Sequence, residues 1–124
     1  MKNNTLIGCV FAALAVVIGA FGAHALKDKL GPYELSVFST ASKYHFYHSF
    51  ALILYGHRGS SGRAGLFFSL GIIIFSGSLY LLATLGLKKL GAITPIGGLF
   101  FIIGWVLFAL EAYKENREKN SVTS

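Results

Sequence analysis

The amino-acid sequence predicts an all-α integral membrane protein: one domain of four transmembrane helices in a compact bundle. Three observations carry that prediction. Only 13% of the 124 residues are charged while 54% are hydrophobic, against about 25% charged in soluble domains. The mean hydropathy is +0.63. The apolar residues also fall into four long blocks, none with the alternation of a half-buried strand. This excludes disordered chains, nucleic-acid modules and most small soluble enzymes.

The blocks run over approximately 6–26, 38–57, 64–86 and 92–112, followed by a polar tail over 113–124. Crossing the hydrocarbon takes roughly 20 residues at about 1.5 Å each. The first, third and fourth blocks meet that requirement readily. The second carries Ser39, Thr40, Ser42, Lys43, Tyr44, His45 and His48 in its first half. It is still expected to span, because non-helical backbone in lipid would lack hydrogen-bond partners.

Block one imitates a signal peptide, with Lys2 before an apolar core and Ala23-His24-Ala25 after it. Its core is longer than a usual leader's, so a retained first span is expected. Gly31-Pro32 signals a helix start. Helix two is therefore expected to begin at Pro32, with an interfacial segment burying Leu35, Val37 and Phe38 ahead of the span. His57 to Arg63 reads as a Gly- and Ser-rich turn, and Lys88, Lys89 and Gly91 form the third connection. Thr94-Pro95 resembles an N-cap and first helical residue. After Ala112 the helix is expected to continue into water and fray over 120–124.

Four spans place both termini on one side. Lys2, Arg58, Arg63, Lys114, Arg117 and Lys119 then face Lys27, Lys29, Lys43, Lys88 and Lys89, six of the eleven basic residues against five. The positive-inside rule places the termini in the cytoplasm by that small margin. The formal charge of +6 is read as topology and attraction to anionic headgroups. Membrane lipids, and a second copy of the chain, are the expected partners; nucleic acid is not. The single Cys9 leaves no intramolecular disulfide and no CxxC motif.

Helices in lipid associate by close packing and hydrogen bonds. Ala15, Gly19 and Ala23 fall four apart on span one, as do Gly8 and Ala12. Gly65, Ser69 and Ser76 share a face of span three, while Gly97, Gly98 and Gly104 thin span four. Gly19, Ala23, Gly77, Gly97 and Gly98 are the expected packing positions. The Phe residues of spans three and four, with Trp105, are expected to face lipid. Tyr33, Tyr44, Tyr47, Tyr55 and Tyr113 are placed as an interfacial belt.

Ionisable groups within a span mark functional candidates. His24 ends span one, while His45 and His48 stand three apart on span two and return to nearly the same face. Such imidazoles could bind a metal ion or haem iron, relay protons, or simply hydrogen-bond to backbone carbonyls. His-x-x-His alone is a weak metal motif. Ser76-Gly77-Ser78 resembles a polar lining, yet serines in helices commonly bond to a carbonyl of the preceding turn. No nucleophile–base pair can be assembled, so no enzyme and no cofactor are expected.

Several stretches together resemble the small bacterial inner-membrane family typified by YgdD and YwdK, a family of unknown function. They are Gly19-Ala20-Phe21-Gly22-Ala23-His24-Ala25-Leu26, Thr40-Ala41 through Tyr44-His45-Phe46-Tyr47-His48, and Phe75-Ser76-Gly77-Ser78-Leu79-Tyr80. Ile93-Thr94-Pro95-Ile96-Gly97-Gly98 through Gly104-Trp105 is the fourth. The resemblance implies a four-span inner-membrane protein and no reaction. It singles out His24, Tyr44, His48, Ser76, Tyr80, Thr94 and Pro95; at position 45 the family pattern more often carries Gln. A polar pocket among spans one, two and four, holding these residues and His45, is the expected site. Support of membrane integrity or organisation is the leading functional expectation, ahead of an oligomeric channel or small transporter and a metal or haem binder using His24, His45 and His48.

Overall fold

The computed structural model describes residues 3–59 and 62–123. Lys2, the Ser60-Ser61 centre of the second connection and Ser124 lie outside the described residues. Four long helices make up the described chain: α1 (Asn4–Leu26), α2 (Pro32–His57), α3 (Ala64–Leu85) and α4 (Thr94–Thr123). A short 3₁₀ turn, Lys88–Ala92, precedes α4. No strand occurs among the described residues.

Length and composition suit α1, α3 and α4 to crossing a membrane. Helix α2 has 26 residues, about 39 Å at 1.5 Å each, but holds no stretch as apolar as those in the other three. It starts at Pro32 and runs unbroken to His57, so no separate interfacial segment precedes it. Pro suits a first turn because its missing N–H would lack a helical partner there anyway. Gly86, at φ 69°, closes α3 in the left-handed conformation that a residue with a Cβ resists. The tail is helical to Thr123.

Consecutive helices run antiparallel, so Asn4, Arg58 and Glu111 gather at one end of the molecule. Helices α2 and α3 form the central pair, with α1 packed on α2 and α4 on α3. At 100° per residue, α2 turns Phe38, Ser42, Ser49 and Gly56 toward α1 and Ala41, His45 and Leu52 toward α3. Tyr44, His48 and Tyr55 lie on the other flank, toward α4. Helices α1 and α4 therefore meet α2 on opposite flanks of the stripe that faces α3.

Small residues set these crossings. A Cβ on Gly8 would stand 2.8 Å from the Ser49 carbonyl oxygen, and one on Gly56 would strike the backbone of Thr5. Between α3 and α4, a Cβ on Gly97 would strike the Phe75 backbone, and one on Gly71 the Phe101 ring. Gly104 seats Phe68, with 2.7 Å between a Cβ there and the ring. Gly19 approaches Ser42 more loosely, at 3.3 Å, and Gly98 makes only ordinary contact with Phe75. Ala23 is half-buried. Gly77 corrects the sequence-based expectation, because nothing lies within 4 Å of the place its Cβ would occupy.

Two π-helical turns, Val17–Gly22 and Ile72–Ser76, add a residue to the local repeat. The second re-aims the face of α3, so that Phe75 packs on α4 while Ser76 reaches α2.

The core collects Ala51, Leu52, Tyr55, Ala64, Phe68, Ile72, Phe101 and Phe108. Phe68, Phe101 and Phe108 were expected to face lipid, and Tyr55 to sit in an interfacial belt; all four are buried. Ring area is useful inside because stacked and edge-on aromatics fill the space around glycine crossings. The outer surface is instead aliphatic and aromatic by turns: Leu6, Val10, Leu14, Phe21, Phe50, Leu54, Ile73, Leu81, Leu99, Ile102 and Val106 are all exposed. Asn4, His45, His48, Ser49, Ser76 and Ser78 are buried. Apolar groups outside and polar groups inside is the distribution a lipid solvent selects.

Gly97→Ala must push helix α4 off α3 and is expected to cost about 1–3 kcal/mol, as overpacking does. Gly77→Ala should be neutral or stabilising by up to about 1 kcal/mol, through helix propensity. Denaturation in detergent micelles, followed by circular dichroism, measures both.

Candidate functional site

Helix α2 carries both buried histidines, and they face different neighbours. Three residues along a helix turn the chain by 300°, which leaves the rings about 60° apart and separates their surroundings.

His48 faces α4. Its Nδ1–H donates to the Tyr44 carbonyl oxygen at 2.7 Å, and its Nε2 accepts from the Trp105 indole N–H at 3.0 Å. An indole nitrogen can only donate, so Nε2 must offer its lone pair and Nδ1 must hold the proton. The ring is thus neutral in a single tautomer, with both nitrogens occupied. It also lies flat on Phe101, with centroids 3.5 Å apart and an interplanar angle of 10°. This arrangement clips α2 to α4.

His45 faces α1 and α3. Its Nδ1 is 2.9 Å from the Tyr80 hydroxyl of α3, which in turn stands 3.5 Å from Ser42 Oγ. Phe11 of α1 meets the ring edge-on at 6.0 Å. The Phe11 carbonyl faces the imidazole, while Nε2 itself has no partner at hydrogen-bond geometry. Two further bonds tie the same level together. Ser76 Oγ donates to the Ala41 carbonyl at 2.8 Å, across α3 and α2, and Ser49 Oγ donates to the His45 carbonyl at 2.7 Å.

Thr94 sits apart from the histidines. Its Oγ1 is 2.6 Å from Ser78 Oγ and 3.2 Å from the Leu90 carbonyl oxygen. The hydroxyl therefore joins the 3₁₀ turn and the start of α4 to α3, in place of the expected N-cap contact. His24 is exposed on the last turn of α1, where a basic group suits the helix dipole.

The expected single pocket divides accordingly. Among the described residues no three His, Cys, Asp or Glu stand close enough to hold a metal ion, so the trio of His24, His45 and His48 does not assemble. Helix rotation separates two of its members, and the third lies on the surface.

A cleft of about 500 Å³ does open beside His48, between α2 and α4. Tyr44, His48, Phe75 and Phe101 line its inner side, and Pro95, Gly98, Leu99, Ile102 and Trp105 its α4 side. Tyr44, Pro95, Leu99, Ile102 and Trp105 are exposed on the outer surface, so the cleft opens sideways. Ser76, Tyr80, Thr94, His24 and His45 do not line it.

Sequence reasoning missed a second polar cluster, at the end where α1 and α3 begin. The Tyr55 hydroxyl donates to Glu111 Oε2 at 2.5 Å. Arg58 pairs with Glu115 and lies over the Phe108 ring at 5.7 Å, joining α2 to the helical tail. Glycines admit this cluster, since a Cβ on Gly62 would run into the Glu111 carboxylate and one on Gly65 into Asn4. An acidic residue inside the fourth apolar block was its one visible signal.

A family model described as "Protein of unknown function (DUF423)" matches residues 18–98. The chain belongs to the DUF423 family. Its relatives include the UPF0382 membrane protein SAB0533 of Staphylococcus aureus, 43% identical over 119 residues that cover 92% of this chain and 98% of the relative. The UPF0382 membrane protein YwdK of Bacillus subtilis is 41% identical over 121 residues, with the same two coverages. A UPF0382 membrane protein of Staphylococcus epidermidis is 42% identical over 119 residues, again covering 92% and 98%. No solved structure matches the chain. This DUF423 chain is a membrane protein, and its family carries no established activity.

The His48–Trp105 bond is testable directly. A double-mutant cycle with His48→Leu and Trp105→Phe should return a coupling of about 0.6–1.7 kcal/mol, from the average to the maximum for interhelical hydrogen bonds in membranes. Strict additivity would show that the contact adds nothing beyond packing.

Proposed function

We propose that this chain spans the bacterial inner membrane four times, with both termini in the cytoplasm, and supports membrane integrity and organisation without catalysis. The observation that carries the reading is how its interior polar groups are used. The two nitrogens of His48, the hydroxyls of Ser49, Ser76, Ser78 and Tyr55, and Nδ1 of His45 all have partners on the chain. Side chains so engaged hold helices together and are poorly placed to act on a substrate.

The polar side chains of α2 support its inclusion as a span. His45, His48 and Ser49 turn inward, and Tyr47, Phe50 and Leu54 turn outward, which lets that part of the helix lie in lipid with its partners inside, while Ser39 and Lys43 stay exposed nearer its start. The oligomeric channel or small transporter is the weaker reading. A path lined by α1 to α3 would pass His48, Ser76 and Tyr80, and each of these is bonded to a neighbouring helix or carbonyl. A homo-oligomer remains compatible with the exposed outer faces of α1 and α4.

A deletion strain should take up a membrane-impermeant dye faster than its parent, and a plasmid copy should restore the parental rate. A copy with both His24→Ala and His48→Leu should restore it only in proportion to the folded protein in the membrane. Indistinguishable uptake by parent and deletion strain, under osmotic and detergent stress as well, would overturn the reading.

A further inference from the structure

The sideways cleft is not explained by helix packing. Gly98 shows this, because a Cβ there would meet Phe75 only at 3.7 Å. The crossing of α3 and α4 needs glycine at 97, not at 98. What the missing side chain at 98 does is keep the cleft open.

The cleft has a shape and a direction. Its α4 wall runs from Pro95 to Trp105, ten residues or about 15 Å at 1.5 Å each. That is half of a hydrocarbon core about 30 Å thick, the depth of one leaflet. Its lining is aromatic and aliphatic apart from His48, whose nitrogens are already engaged. Tyr44 also borders it, and among the described residues its hydroxyl has no hydrogen-bond partner.

The chain that leads to the Pro95 end of that wall is positively charged. The turn Lys88–Ala92 leads into α4 through the bonds Ile93 N–H to Leu90 O and Ile96 N–H to Ile93 O. This places exposed Lys88 and Lys89 seven and six residues before Pro95. No Asp or Glu occurs between Lys43 and Glu111, and among the described residues neither lysine has an ion pair. The acidic residues at this end, Asp28 and Glu34, belong to the connection before α2 and its first turn, where the Glu34 carboxylate lies close to Gly31.

We propose that the cleft is a specific site for one acyl chain of an anionic glycerophospholipid, its headgroup held by Lys88 and Lys89. The chain would lie along Leu99, Ile102 and Trp105 against Phe75 and Phe101, with an ester oxygen to accept from Tyr44. A one-leaflet length, an apolar wall and two lysines in the turn that leads to it together select such a lipid over a free anion, which would have no use for the wall. The inference rests on the four-span reading, since the cleft must open into hydrocarbon.

Trp105 is the only tryptophan and lines the cleft, so its fluorescence reports occupancy. The full chain is reconstituted in vesicles that mix unlabelled lipid with either dibrominated phosphatidylglycerol or dibrominated phosphatidylcholine. Brominated chains of both kinds should quench Trp105, and phosphatidylglycerol should be preferred about fivefold, the effect of one lysine at an anionic surface. Gly98→Leu fills the cleft and should bring the preference to parity. Lys88→Gln with Lys89→Gln should do the same without altering quenching by phosphatidylcholine, with helical content checked for every variant.

Equal quenching by both lipids in the wild-type chain overturns the proposal, as does a preference that survives both sets of substitutions. If neither brominated lipid quenches, it is the four-span reading that fails, and the site with it. Native mass spectrometry gives the remaining arm. A dimer that Gly98→Leu converts to monomer, with no change in retained phosphatidylglycerol, would make a second copy the occupant and overturn the lipid site.

Discussion

The constraint on which this structure depends is that α2 brings polar side chains into a place without water. Each polar group left unpaired in an apolar medium costs several kcal/mol, and among the described residues His45 Nε2 is the one buried side-chain nitrogen or oxygen without a partner. The chain meets this by wrapping α2 on three sides. Helix α1 covers its Ser42 and Ser49 flank, α3 its Ala41 and His45 stripe, and α4 its His48 and Tyr55 flank. The helix without a long apolar stretch is therefore one of the central pair.

Close approach sets the outer crossings. The backbones of α1 and α2, and of α3 and α4, nearly touch where Gly8, Gly56, Gly71, Gly97 and Gly104 stand, while Ser76 ties α3 to α2 through the Ala41 carbonyl. The aromatic rings then fill the spaces left between crossings, with Phe68 seated on Gly104 and Phe101 on Gly71. Because lipid competes equally well for apolar surface, this fit and the hydrogen bonds, not the removal of apolar area from water, hold the helices together. One glycine, Gly98, stands outside that scheme, and it borders the cleft.

Much of the fold was legible. The limits of α3 follow from the Gly- and Ser-rich turn before it and from Gly86 after it, and Pro32 marks the start of α2. These signals are local, governed by backbone freedom and the missing N–H of proline. The site was legible only in part. His48 and Tyr44 could be singled out as polar residues within the second apolar block, and they do border the cleft. Their grouping with His24, His45 and Thr94 could not be checked against a helical wheel alone, because the wheel gives a direction on one helix and not the identity of the helix it meets.

The sequence by itself determined the helical class, the membrane setting and the residues that begin and end the helices, since these depend on composition and on interactions within a few residues. The tertiary structure decided which neighbour each polar group meets. It parted His45 from His48, buried Tyr55 against Glu111, drew Phe68, Phe101 and Phe108 inward, and left Gly77 facing open space. The reason is geometric. Helices in lipid choose partners by surface fit at crossings distant in sequence, and a π-helical turn such as Ile72–Ser76 can re-aim a whole face.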